Sequence, residues 1–437
     1  MELRSEYDVI VVGAGIAGIS AAVKAGRAGV SVLLVEQYGF VGGMSTAGMV
    51  SPFMKHEVNG EVLVRGVFED IELEMRRQHG MIDNGFFANS FRSAAYHLLK
   101  DAGVTLLLHT IISGVSKKND RVESITVFAA GREMTINGKV FIDTSGDAQL
   151  LFLGGLPWVK GDETTGLLQA LTLFFRMGNI DLKKVTDYAS KNKHDFFDWM
   201  DYNFDLTKII SVAGYFSHVK RAITEGRLSP EVQYIFFTTL PESGEGSFNT
   251  SNILALDGSS STDLTKAELV GRTQVNQVVT LLKNEIPGFE QSYLIETAPQ
   301  VGVRETRRAV GEYAVTGEDI KRGNKFPDAV ARGCYGIDIH GQKDESSRME
   351  HLPEGDYYEI PLRALLVKEA DNVMAAGRCI SSTREGHSAL RIQPTSSATG
   401  EACGALAALA VLSGKTIRAV DYRTVQEQIP HNITQRK

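Results

Sequence analysis

The chain has 437 residues, enough for one large or two medium domains with true cores, and its 43% hydrophobic and 23% charged content is ordinary for a globular protein. A net charge of −7 argues against a general nucleic-acid surface, which needs clustered Lys and Arg. Pairs such as Lys183-Lys184 and Arg307-Arg308 are too short to reverse that balance.

Taken in order, the chain opens with a strand, a glycine-rich turn, a helix and a second strand. Tyr7 to Val12 is an apolar, β-branched run of the kind buried on both faces of a sheet. Gly13-Ala14-Gly15-Ile16-Ala17-Gly18 follows directly. An Ala-rich helix is predicted from Ile19 to Ala28 with Gly29 as its C-terminal cap, then a strand from Val30 to Val35 ending at Glu36. This is a βαβ unit. Further strands are predicted at Val104 to Leu108, Ser124 to Ala130, Glu133 to Ile136 and Val140 to Asp143, the last entering the turn Thr144-Ser145-Gly146-Asp147. From Asp181 to Thr262 the sequence is mixed and aromatic, with a Ser/Gly-rich stretch from Ser243 to Ser261 that reads as loop. Lys266 to Leu282 has helical periodicity, stopped by Pro287-Gly288. Asn372 to Ala376 is another buried strand running into Gly377-Arg378, and Gly400 to Val411 is an apolar helix. No internal repeat or low-complexity tract is visible.

Three cysteines, Cys334, Cys379 and Cys403, stand far apart, so spacing indicates neither a redox disulfide nor a zinc site. The low count suits a reducing compartment. Met1 to Tyr7 shows no basic region leading into an apolar stretch, and no apolar run approaches the ~18 residues of a membrane span. A cytoplasmic protein without membrane or nucleic-acid partners is therefore expected.

Each glycine of Gly13-x-Gly15-x-x-Gly18 has a physical reason to be there. The first permits a tight turn, the second lets backbone approach a pyrophosphate, and the third lets helix pack on strand. Ile16 and Ala17 open the helix, whose N-terminus offers free N–H groups to phosphates. Glu36, at the end of the next strand with Gln37 beside it, can accept hydrogen bonds from both ribose hydroxyls and would repel a 2′-phosphate. The strand before and helix after the motif separate it from an ordinary glycine turn. The motif alone does not separate NAD from FAD. Gly42-Gly43 and the turns at Gly146-Asp147 and Gly377-Arg378 favour FAD, because each offers backbone to a longer ligand.

On these residues the chain resembles the bacterial FAD-dependent oxidoreductases, relatives of glutathione-reductase-like flavoproteins, fumarate reductase and thiazole-forming enzymes. The resemblance rests on Val9 to Glu36, Gly42-Gly43-Met44-Ser45-Thr46, Ile142 to Asp147, Arg304-Glu305-Thr306-Arg307-Arg308 and Tyr335 to His340. It continues through Ile360-Pro361-Leu362-Arg363, Ala376 to Ser381, Arg391-Ile392-Gln393-Pro394-Thr395 and Thr399 to Gly404, whereas residues 181–260 match poorly. It implies an α/β fold: a Rossmann-like FAD-binding domain of residues 1–158 and 351–437, with an α+β substrate domain of residues 159–350 inserted. Gly13, Gly15 and Gly18 would wrap the pyrophosphate and Glu36 the adenosine ribose. Gly43, Met44 and Ser45, with Gly42 and Thr46 flanking them, would follow the phosphates and ribityl chain. Thr144, Gly146 and Asp147 would lie near the adenosine half, and Gly377 and Arg378 near the ribityl and pyrophosphate. A helix beginning near Thr399 would direct its positive end at the pyrimidine edge of the flavin ring. Ala148 replaces a glycine frequent in the family and Cys403 an alanine; neither change is expected to affect binding.

Flavin-linked oxidation needs a substrate site beside the ring and often a base for the departing proton. His340 is the first candidate, because strand alternation places Asp338 on the same face, where its carboxylate can orient the imidazole. His387 is the second, between the Gly377 turn and the last apolar helix. Arg304, Arg307, Arg308, Arg384 and Arg391 could clamp a carboxylate or phosphate, or form an ion-pair network with Glu305 and Glu312; among them Arg391 is kept as a catalytic candidate. No His/Cys cluster indicates a metal. With no second dinucleotide motif, a separate electron carrier is expected to exchange electrons with the flavin. An NAD(P)-dependent dehydrogenase and a flavin-bearing RNA-associated protein are the competing readings.

Overall fold

The computed structural model describes residues 3–240, 242, 244–342 and 347–433. Met1 and Ser243, which bounded two of the sequence expectations, lie outside the described residues. The first sheet starts with β1 (Glu6–Val12), which leads through α1 (Ile16–Arg27) to β2 (Val32–Val35). It is completed by β3 (Thr105–Leu107), β4 (Thr110–Lys118), β5 (Arg121–Ala129), β6 (Arg132–Asp143) and, from the far end of the chain, Val373–Ala375. β1, β2, β3, the C-terminal half of β6 and Val373–Ala375 are parallel. Register decides where function sits. Val12 lies opposite both Val35 and Asp143, Asp143 opposite Ala375, and Val35 opposite Leu107. The strands therefore end in one row, and the turns at Gly13, Glu36, Thr144 and Gly377 converge at the carboxyl edge, where open α/β sheets bind ligands.

The predicted strands at Glu133–Ile136 and Val140–Asp143 are one strand in the structure. Its first half pairs antiparallel with β5 and its second half parallel with β1. α1 begins at Ile16, three residues earlier than predicted, because Gly15 already serves as its N-cap.

The second sheet is antiparallel and carries the middle of the chain. Its strands are β7 (Phe175–Gly178), β8 (Ser211–Gly214), β9 (Ile235–Thr239), β10 (Gly246–Phe248) and β11 (Tyr293–Thr297), in the spatial order β8-β9-β10-β7-β11. Its core also takes Val275, Val278 and Leu282 from α2 (Ser261–Glu285). β10 falls within the stretch predicted as loop. The ring of Phe248 stacks between Phe175 and Phe237, at 4.8 Å from each, and that packing overrides the Ser/Gly composition.

α3 (Gln393–Ser413) is long and apolar enough to cross a membrane by length and composition, yet it is largely buried against α1. A Cβ on Gly400 would overlap the Ala17 carbonyl, and one on Gly404 the Ala21 carbonyl, so the two backbones touch. The last segment folds back onto this pair: Glu401 of α3 meets His431 at 3.2 Å and accepts from the Asn432 side chain at 2.9 Å.

Candidate active site

The nucleotide end is made of backbone. Gly13 has φ +96°, and a Cβ on Gly18 would overlap the Gly13 carbonyl oxygen. Thr144 Oγ1 donates to the carbonyls of Val12 (2.9 Å) and Gly13 (2.8 Å), which pins the turn from beneath. Ile16 and Ala17 are buried in the first turn of α1, which carries no side-chain cap and no acidic residue. The dipole at that end has no anion of its own. Glu36 is 5% exposed; its two carboxylate oxygens accept from the Ala14 N–H at 2.7 Å and the Tyr38 N–H at 2.9 Å. Burial raises its pKa, and those N–H groups offset part of the rise. Gln37 is exposed beside it.

Gly42 and Gly43 close over Gly15. The Gly42 N–H donates to the Ala14 carbonyl at 2.7 Å, and a Cβ on Gly43 would lie 2.8 Å from Gly15 Cα. By contrast, a Cβ on Gly15 meets nothing nearer than 3.9 Å. The protein itself therefore does not require glycine at Gly15. That cradle, the uncapped helix end and Glu36 fit the adenosine and pyrophosphate of FAD.

The neighbouring turns lock one another. Thr46 is fully buried, and its hydroxyl donates to the Val41 carbonyl at 2.7 Å, which ties the turn together. Ser45 donates to Gln393 Oε1 at 2.5 Å, and Gln393 Nε2 donates to the Val50 carbonyl at 2.8 Å. Asp147 and Arg378, expected along different parts of the cofactor, form one ion pair at 2.7 Å. Gly146 has φ +78° and packs against that guanidinium. Ala148 adopts φ +49°, a left-handed conformation costing alanine about 1 kcal/mol.

The helix expected to begin near Thr399 begins at Gln393, with Pro394 in its first turn and no side-chain cap. Thr399 lies in the second turn and instead accepts from the Gly377 N–H at 3.1 Å. Pro394 was the signal that marks this start, since proline is favoured at the first helical position.

Beyond Met44 and Gln393 opens a cavity of about 1340 Å³. Its lining includes Arg378, Arg391, His340, Asp338, Tyr335 and Arg304, together with aromatic residues of the second sheet and its connections. His340 Nε2 is 3.4 Å from Asp338 Oδ1, the arrangement read from strand alternation. Tyr335 donates to Asp338 Oδ2 at 2.9 Å, and Arg391 Nη2 lies 3.4 Å from the same oxygen. Burial pushes the Asp338 pKa up, but His340, Arg391 and Tyr335 more than reverse this, holding the carboxyl well below the usual range. Burial, then Arg304, pulls the His340 pKa down, with Asp338 opposing.

Sequence reasoning missed the segment that gathers these groups. Gln169 is fully buried; its Oε1 accepts from the His340 N–H at 3.3 Å and lies 3.5 Å from Arg391 Nη2. The adjacent Ala170 carbonyl accepts from Arg304 at 2.6 Å. Nothing in the local pattern around Gln169 announces that role.

His387 is placed elsewhere. Its ring is fully buried and does not line the cavity, so it is not positioned as a proton shuttle. Burial, then Arg308, Arg391 and Arg378, pulls its pKa well below the usual histidine value. The arginines divide as well. Arg308 and Arg384 pair with buried Glu305 at 2.5 and 3.4 Å, and Arg307 donates to the Asp147 carbonyl at 3.1 Å. These three are structural, while Arg304 and Arg391 face the cavity. Glu312 takes no part in that network; it pairs with Arg418 at 2.7 Å. Among the described residues no cluster of His, Cys, Asp and Glu could hold a metal ion.

A Rossmann-like sheet with a glycine cradle and a large cavity at its carboxyl edge defines a dinucleotide-dependent enzyme fold. The chain belongs to the FAD dependent oxidoreductase family, whose sequence model matches residues 8–429, and it is an FAD-dependent enzyme. The fold is similar to a geranylgeranyl bacteriochlorophyll reductase-like protein from Thermoplasma acidophilum, with 14% identity and a TM-score of 0.50 over 97% of this chain and 82% of that one. It is also similar to the flavin-dependent brominase Bmp2, with 13% identity and a TM-score of 0.51 over 97% and 83% of the two chains. No curated protein matches the sequence.

Proposed function

We propose that this enzyme exchanges a hydride and a proton with a small organic molecule bound in the cavity, the hydride passing to or from FAD, and that His340 handles the proton. The observation that carries the reading is the cavity itself, which joins Met44 and Gln393 of the cofactor turns to the His340–Asp338 pair. The chemistry supplied by bound FAD is two-electron exchange with the substrate. Asp338 at Nε2 favours the proton on that nitrogen, leaving the Nδ1 lone pair to take a proton from a substrate hydroxyl or amine. In the reverse direction the same nitrogen returns it. A lowered pKa keeps His340 neutral, as a base must be. Electrons taken from the substrate then pass to a separate electron carrier. Free Cys334, Cys379 and Cys403 are compatible with a cytoplasmic setting.

The test is anaerobic bleaching of the bound flavin by a panel of organic acids, sugars and amines. A true substrate bleaches the wild type, and His340→Ala slows bleaching by about 10² to 10⁴-fold. Equal rates in the two proteins would remove His340 from the mechanism.

A further inference from the structure

Of the four guanidiniums on the cavity wall, Arg378 pairs with Asp147 and Arg348 with Glu350 and Glu385, which leaves Arg304 and Arg391 to share Asp338. Arg391 lies against Asp338, whose oxygens are also taken up by Tyr335 and His340. Arg304 is 8% exposed, and the acceptors at its Nη atoms are both neutral: the Ala170 carbonyl at 2.6 Å and Asn249 Oδ1 at 3.4 Å. Among the described residues no carboxylate is within ion-pair distance of Arg304, and Glu231, also on the wall, is outside ion-pair distance of both guanidiniums. Asp338 acts on Arg304 only through space, and a desolvated guanidinium with no carboxylate in contact with it is stabilised by a ligand that supplies an anion. The cavity also carries an aromatic cluster, which reaches the arginines through Tyr234. Phe197 stacks on Trp199 at 5.6 Å and meets Phe216 and Tyr234 edge-on at 4.9 and 5.0 Å, and all four line the cavity.

We propose that the cavity takes an organic acid with an aromatic body, the carboxylate pairing with Arg304 and Arg391 and the body lying against Phe197, Trp199, Phe216 and Tyr234. This rests on the reading of the cavity as the substrate site. Its volume exceeds the usual few hundred to ~1,000 Å³ of small-molecule pockets, which leaves room for such a body beside the flavin ring. Arg304 and Arg391 both hang from the Gln169–Ala170 segment, so the two donors are held at a fixed separation before any ligand arrives.

The experiment uses the FAD-loaded enzyme and three probes sharing one skeleton: 3-phenylpropanoate, 3-phenylpropanamide and 3-phenylpropan-1-ol, with acetate as the body-less acid. Binding is followed by calorimetry and by perturbation of the flavin spectrum. The acid is expected to bind at least about tenfold more tightly than the amide or alcohol, and acetate to bind far more weakly. Arg304→Gln should bring the acid to the level of the amide, while Arg304→Lys keeps part of the preference. If Arg304→Gln fails to fold, the wild-type ranking and the Arg304→Lys protein still decide the matter. Equal binding of acid and alcohol, with the flavin perturbed by both, would overturn the carboxylate assignment while leaving the cavity reading intact. Binding of acetate as tight as that of the aryl acid would overturn the aromatic half. Flavin perturbation by none of the probes would overturn the cavity reading and the inference with it.

Discussion

At the carboxyl edge of the parallel strands, backbone shapes the nucleotide end: Gly43 closes on Gly15 and Gly18 on Gly13, and Glu36 holds the turn through main-chain N–H groups. At the cavity, side chains shape the substrate end: Arg304, the Asp338–His340 pair and Arg391 come from three separate segments, and Arg304, His340 and Arg391 meet on Gln169 and Ala170. A backbone device needs particular residues at particular spacings, so it leaves a local pattern. A side-chain device needs only that the fold bring its members together, so its members can be scattered along the chain. The first is read from one continuous stretch, Gly13 to Gly43; the second requires the tertiary structure.

The sharpest way to break the nucleotide half is to fill its glycines. Gly18→Ala places a methyl on the Gly13 carbonyl, and a loss of about 3 kcal/mol or more is expected, seen as a lower urea midpoint or insoluble protein. Gly15→Val should behave differently. Its Cβ meets nothing nearer than 3.9 Å, so circular dichroism should match the wild type while the purified protein loses its yellow colour. If both variants kept FAD, the cradle would be misassigned.

The substrate half is tested by chemistry. His340→Ala should retain FAD and lose substrate-driven bleaching, and the acid limb of wild-type turnover should lie below the ordinary histidine pKa of about 6.5, because burial and Arg304 lower the His340 pKa. An acid limb above that value would contradict the assigned electrostatics.

His387 separates stability from catalysis. Its folded pKa lies well below the unfolded value, so the unfolded chain binds the extra proton first. Its contribution is constant above about pH 6.5, and stability falls by up to about 1.4 kcal/mol per pH unit below it, until the folded pKa is reached. Urea midpoints of wild type and His387→Leu, compared at mildly acidic and neutral pH, should show the shallower slope in the variant. The smallest effect belongs to Tyr335→Phe. Losing one hydrogen bond to Asp338 should cost about 1 kcal/mol in transition-state stabilisation, roughly fivefold in rate, with FAD retained.

The same contrast explains what was legible in the sequence. The βαβ unit, Glu36 and the Asp338–His340 pairing follow from periodicities of 3.6 and 2, which local sequence encodes. β10 was hidden in a Ser/Gly-rich stretch because what makes it a strand is Phe248 between Phe175 and Phe237. His387 looked accessible from its position between two motifs, yet the packing of its helix seals it in. The divided roles of the arginines depend on which of them reach Glu305, and sequence spacing does not determine that.

The most direct test of the account joins both halves in one cuvette. The FAD-loaded wild type, kept anaerobic, is mixed with an organic-acid panel rich in aryl carboxylates while the flavin absorbance is followed. The account predicts bleaching by at least one such acid, lost in Gly15→Val for want of FAD and slowed in His340→Ala with FAD still bound. Bleaching that persists unchanged in His340→Ala, or a wild-type protein that purifies without flavin and takes up none, would contradict it.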